Sequence, residues 1–275
     1  MRKISSYVVC ACIAASGSTF AADACKPAHD LKTLVPGQLT VATMVIPPFS
    51  IPEGKGIKGV DGQIISRIAE MECLKLKPIF VDTRAVMQYV LIDKADVAVG
   101  NWFRTAARGK VMDMSEPVYI DSLGVYSKTG VKDLVQLSRE DKIVGSVQGY
   151  NWTADLQKLF GNNLKLYPNP VALAQDLTSG RVDVGLDSYS SGIYAQQQGA
   201  LGGYKIVHAA PTESVKASIE PAQIAFMYKK GNDQLGQAIN ANLKVMRDNG
   251  EVGAALEAYG LSAQDSDVGT PREIE

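Results

Sequence analysis

Lys94-Ala95-Asp96-Val97-Ala98-Val99-Gly100 and Gly180-Arg181-Val182-Asp183-Val184-Gly185-Leu186 are two versions of one pattern. Each sets an aspartate at the start of a short, β-branched strand that follows a helix-length segment. A helix feeding a buried strand is the grammar of α/β layers, so two such units predict two similar α/β lobes. Strand-like runs recur at 39–43, 76–81, 96–100, 142–147, 164–167, 182–186 and 205–208. Helix-length segments lie at 151–160, 171–179, 189–198, 233–249 and 251–259. Asp61 reads as the N-cap of a further helix with Ile64, Ile65, Ile68 and Met71 on one face. In sheets of this kind ligands bind at the carboxyl ends of the strands.

The chain has 275 residues, 46% hydrophobic and 21% charged, with a formal net charge of −1. That is enough material for two domains with buried cores, and it excludes a disordered or multi-span membrane chain. The balanced charge leaves no electrostatic footprint for nucleic acid. Residues 1–21 read as a cleavable secretory signal: Arg2 and Lys3, an apolar run at 7–15, then small residues up to Ala21. Loss of that segment removes Cys10 and Cys12, leaving Cys25 and Cys73 in an oxidising compartment. A disulfide between them is one reading; two unpaired thiols, with Cys73 buried, is the other. His29 and His208 are the only histidines, so no metal or other cofactor is expected. Residues 263–275 are polar and expected to be a flexible tail.

An ordered series of short motifs runs through most of the chain. It comprises Gly37-Gln38-Leu39-Thr40-Val41-Ala42-Thr43 followed by Pro47-Pro48-Phe49; Gly59-Val60-Asp61; Lys94-Ala95-Asp96-Val97; and Arg104-Thr105-Ala106-Ala107-Arg108. Met114-Ser115-Glu116-Pro117-Val118-Tyr119, Val144-Gly145-Ser146-Val147-Gln148-Gly149, Ser179-Gly180-Arg181-Val182-Asp183 and Asn249-Gly250-Glu251 complete it. Taken together they resemble the periplasmic solute-binding proteins of polar amino-acid ABC importers, family 3. The resemblance implies an α/β, two-lobed type II periplasmic binding protein fold, each lobe a mixed sheet flanked by helices. Two crossing segments would form a hinge, near Tyr126-Ser127-Lys128 and Phe226-Met227-Tyr228. Lobe one would be 31–126 plus 226–262, and lobe two 127–225. The function implied is a monomeric periplasmic receptor that captures an amino acid or a derivative between closing lobes. Delivery would be to an ABC permease in the inner membrane.

The same resemblance nominates site residues. Thr105-Ala106-Ala107-Arg108 matches its Thr-x-x-Arg motif, and Arg108 is expected to hold the ligand's α-carboxylate. A planar guanidinium offers two parallel donors, which lysine does not. Asp187 is the expected counter-charge for the α-ammonium. It comes one residue earlier after Asp183 than is usual, with Ser188 in the usual place. Strand side chains alternate faces, so which of the two faces the cleft stays open. Phe103 replaces the usual Ser or Thr donor, and the lobe-two turn reads Gln148-Gly149-Tyr150-Asn151. With Asn101 and Trp102, these residues (Phe103, Gln148, Tyr150 and Asn151) complete the expected ligand-binding set. These rings either pack in the core or face the cleft, and in the second case the solute is bulkier or flatter than glycine or alanine. Two rival functions stand beside the receptor: an exported dehydratase-like enzyme, using Glu116 or Glu220 for proton transfer, and a ligand sensor for a membrane receptor. No catalytic residue is otherwise expected.

Overall fold

The protein is described by a computed structural model covering residues 25–219 and 221–274; the predicted signal at 1–21 and the rival's Glu220 lie outside the described residues. A strand that is buried on both faces belongs inside a parallel sheet. Gln38–Thr43 is such a strand, and it lies parallel between Lys75–Phe80 and Val97–Ala98. Met227–Tyr228 joins antiparallel to Val97–Ala98, and Asp113–Met114 pairs beyond it. The second sheet has the order Leu164–Tyr167, Val144–Val147, Val184–Ser188, Leu123–Ser127, Lys205–His208. Its first three strands are parallel, and Leu123–Ser127 is antiparallel to both neighbours. In both sheets, therefore, a strand arriving from the other lobe packs antiparallel beside the third parallel strand.

The repeated aspartate has a shared physical role. Asp96 accepts hydrogen bonds from the N–H groups of Leu34 and Thr40, at 2.7 and 2.8 Å. Asp183 accepts one from the N–H of Ile143, at 2.8 Å. Each pins the entry of a neighbouring parallel strand. Helices Val60–Met71, Thr83–Leu91 and Asp233–Asp248 flank the first sheet; Thr153–Phe160, Pro170–Thr178 and Tyr189–Gln197 flank the second.

The chain passes between the sheets earlier than the sequence suggests. Leu123–Ser127 is a buried strand of the second sheet, so the expected boundary at 126 falls inside it. Buried on both faces, this strand lacks the period-two signature that would have marked it. Just ahead of it Ile120–Asp121 runs antiparallel to Ala222–Gln223, which precedes Met227–Tyr228 of the first sheet. These two short strands are the crossings, lying side by side. Contacts on both flanks show the lobes shut. Thr83 Oγ1 donates to the carbonyl of Pro168 at 3.2 Å on one side, and Gln197 Nε2 to that of Gly260 at 3.0 Å on the other.

Both ends of the described chain are tied down. The tail expected to be loose is laid back on lobe one: Ile274 pairs with Thr105, exchanging backbone hydrogen bonds with Arg104 and Ala106. Gln223 donates to the carbonyls of Val268 and Thr270 and accepts from the N–H of Arg272. A polar stretch hides this docking, because the groups the tail contributes to these bonds are backbone atoms, with no residue signature. At the other end Cys25 and Cys73 form a disulfide, and buried Glu72 accepts from His29 N–H at 2.8 Å. The bridge spans a separation of 48 residues, worth about 4 kcal/mol in the chain-entropy description. Replacing both cysteines by serine should lower the melting temperature by several degrees in scanning calorimetry while leaving solute affinity unaltered.

Candidate functional site

The site is built where the lobes meet beside the crossings. Gly59, not Asp61, caps the helix Val60–Met71; its φ of 107° and the Phe49 carbonyl, 2.2 Å from where a Cβ would stand, admit only glycine. Asp61 therefore sits inside the first turn, fully buried. The left-handed turn at Gly100 and Asn101 aims two N–H groups at Asp61 Oδ2, each at 2.8 Å, and the Tyr119 hydroxyl donates to Oδ1 at 2.7 Å. Burial still pushes this carboxyl up to about 6, the hydrogen bonds only moderating it.

Asn101 continues the network. Its Nδ2 donates at 2.6 Å to Asp121 on the crossing strand, while its Oδ1 is buried with no partner. Asp121 also accepts from the hydroxyls of Ser188 (2.6 Å) and Ser190 (2.8 Å) on the second lobe. Burial raises the Asp121 carboxyl, and the hydroxyl and amide donors oppose the rise.

Arg108 follows the Thr105 cap, whose hydroxyl accepts from the Arg108 N–H at 3.2 Å. The guanidinium is buried against the Trp102 ring, 4.9 Å from its centroid, and Nη1 donates to the Phe103 carbonyl at 2.6 Å. Its Nε and Nη2 hold no hydrogen bond, and no carboxylate pairs with it among the described residues. Burial pulls its pKa down to about 10, which leaves it charged at neutral pH. Phe103 packs edge-on against Trp152 of the other lobe, 5.4 Å between centroids, and Trp152 against Tyr150 at 4.9 Å. The Trp152 indole donates to Ser146 at 3.0 Å, so this ring is anchored in lobe two.

Asp187 lies at the carboxyl end of Val184–Ser188 and is 2% exposed. The one-residue offset is resolved by alternation. The Ser188 side chain turns to the crossing and binds Asp121, whereas Asp187 lines a separate pocket with Tyr126 and Leu173. One carboxyl oxygen accepts from Ser188 N–H at 2.8 Å, and among the described residues no cation pairs with it. The Tyr150 hydroxyl stands beside it without completing a standard hydrogen bond, and it feels both Asp187 and Arg108. Burial drives the Asp187 carboxyl up to about 7, and neighbouring Asp121 adds to the rise. Gln148 and Asn151, half-buried, make no side-chain hydrogen bond among the described residues. The structure thus brings Asn101, Trp102, Phe103, Arg108 and Tyr150 together at the junction. Asp187 borders the same junction through Tyr150, but Arg108 is not in the wall of its pocket.

Sequence reasoning passed over Asp61 as a cap and Asp121 altogether. An acid inside an apolar helical face was the only available signal for the first; a lone Asp in a two-residue strand gives none for the second. Glu116, the other carboxyl of the enzymatic rival, is exposed.

A profile of the bacterial extracellular solute-binding proteins, family 3, matches residues 39–262. The chain belongs to that family. The fold is shared with solved structures. An amino acid ABC transporter substrate-binding protein from Streptococcus pneumoniae, bound to L-arginine, is 20% identical, with TM-score 0.71, covering 81% of this chain and 93% of its own. An ancestral arginine-binding protein bound to glutamine is 24% identical, with TM-score 0.72, covering 82% and 99%. An ancestral amino acid-binding protein that is a precursor of cyclohexadienyl dehydratase is 19% identical, with TM-score 0.71, covering 81% and 95%. The matched region of the family stops where the docked tail begins.

Asp61 and Asp187 both carry folded-state pKa values above the ordinary 3.8. Between about pH 4 and 7 the folded chain therefore binds more protons than the unfolded one, and ligand-free stability falls as pH rises through that window. Asp187→Asn should raise the melting temperature relative to the parent at pH 8 and leave it equal at pH 4, measured by differential scanning fluorimetry.

Proposed function

We propose that this solute-binding protein is a monomeric periplasmic receptor that closes on an amino acid or amino-acid derivative and presents it to an ABC permease in the inner membrane. The observation that carries the reading is the pair of unmatched charges. Arg108 on one lobe keeps two donor nitrogens free, and Asp187 on the other has no cation. A guanidinium and a carboxylate on opposing lobes are matched together only by a solute bearing both opposite charges. A ligand that contacts both lobes favours the shut state by its differential affinity, and the paired crossing strands supply the pivot. The ligands bound by the structural neighbours, L-arginine and glutamine, are of this chemical kind.

Native mass spectrometry of the purified protein would identify a retained solute, and calorimetry would give its affinity. Arg108→Lys keeps the charge but loses the planar fork, and Arg108→Ala loses both. Each should weaken amino-acid binding by more than about thirtyfold, the scale of a lost buried charge-assisted pair. Parental affinity in both variants would remove the assignment.

One observation favours a second reading. A carboxyl held at about 7 is poised for proton transfer, and one structural neighbour is a dehydratase precursor. Incubation with cyclic amino-acid precursors decides between them: intact solute recovered after denaturation supports the receptor, and accumulating product supports the enzyme.

A further inference from the structure

The pocket that Asp187 borders has a volume of about 180 Å³. Its walls are Tyr126, Leu173, Tyr194 and Leu201 of the second lobe, and Pro47 of the first; Val171 and Gln198 stand exposed at its rim. Tyr126 spends its hydroxyl on the Ser188 carbonyl, so it offers the pocket only its ring. Asp187 is the single charged residue in the lining. Beside it is Ser191, 6% exposed, whose hydroxyl has no partner, while its N–H is spent on Ser188 Oγ at 3.1 Å. An apolar chamber that ends in a carboxylate without a cation and a hydroxyl without a partner is a built site whose polar end is unsatisfied.

Size sets the body of the occupant. A cavity of roughly 150 Å³ with apolar walls accepts a benzene ring, so this pocket has room for one six-membered ring and a short link. Charge sets the head. Asp187 is the only charge in the lining and Arg108 stands outside the wall, so the pocket is negative and a cation relieves it. A guanidino side chain fits poorly, because the only carboxylate available to it is the one an α-ammonium would also need.

We propose that this pocket seats the solute's side chain, and that the solute is an aromatic amino acid or arylalkylamine whose ammonium lies on Asp187 and whose ring lies between Tyr126, Leu173, Tyr194 and Pro47. The inference rests on the receptor reading only for the cleft being the solute site. Because Pro47 belongs to lobe one and the other walls to lobe two, a ring there touches both lobes and holds them shut.

The test is calorimetry on the dialysed full-length mature protein at pH 8 with four probes: L-phenylalanine, 2-phenylethylamine, 3-phenylpropionate and L-arginine. Phenylalanine and phenylethylamine should bind, phenylpropionate should not, and arginine should be at least tenfold weaker than phenylalanine. Asp187→Asn should weaken both amines at least tenfold. Ala174→Trp fills the pocket from a half-buried position on the helix Pro170–Thr178 and should do the same, its fold checked by circular dichroism. Arginine binding more tightly than phenylalanine, an Ala174→Trp variant with parental affinity, or no binding of either amine would overturn the proposal. The two readings fail differently. If the receptor reading alone fails, phenylethylamine binds and no amino acid does; if the pocket alone fails, some amino acid binds with an affinity indifferent to Ala174→Trp.

Discussion

One buried carboxylate holds the two lobes in register. Asp121 sits on a crossing strand, its backbone opposite Ala222, and its side chain takes hydrogen bonds from Asn101 of lobe one and from Ser188 and Ser190 of lobe two. A carboxylate stripped of water is costly unless donors surround it, and here the donors come from both lobes. Separating the lobes would remove the donors of one side, so Asp121 has its full set only in the shut arrangement. Around it the rest is placed. Asn101 is drawn into its left-handed turn, which in turn points N–H groups at Asp61, and Ser188 is turned toward the crossing, which sends Asp187 to the opposite face.

That alternation decides the electrostatics of the junction. Three acids are buried around the junction, and the buried base Arg108 is spent in part on a tryptophan ring and a backbone carbonyl. Asp187 is the single charged residue lining its pocket, and Arg108 stands outside that wall, at the edge of the junction. The aromatic contact Phe103–Trp152–Tyr150 closes over this edge. With low-polarity rings on one side and acids on the other, each remaining charge is felt at longer range than in water.

Much of the architecture was legible in the residues because it rests on local signals. The doubled aspartate before a β-branched strand reported two lobes, and its meaning survived in the bonds of Asp96 and Asp183. Spaced apolar residues after Gly59 reported a helix. What escaped was set by geometry that sequence does not encode locally. Leu123–Ser127 is covered on both faces and shows no alternation; the tail binds through backbone atoms; Asp121 is distinguished only by what lies across the hinge from it. At the candidate site, Arg108 and the Trp102-Phe103 pair were nominated through motif position, and the offset of Asp187 was noticed but its direction was not. A single residue of register is invisible until the strand's end is fixed, and here Ser188 fixes it.

The docked tail has a practical corollary. From Val268 to Ile274 the chain runs along the bending segment and ends against the residues that lead into Arg108. A purification handle or fluorescent protein fused there would tug on the very loop that carries the guanidinium. For anyone preparing the molecule, the docked stretch is part of the support of that loop, and handles belong elsewhere.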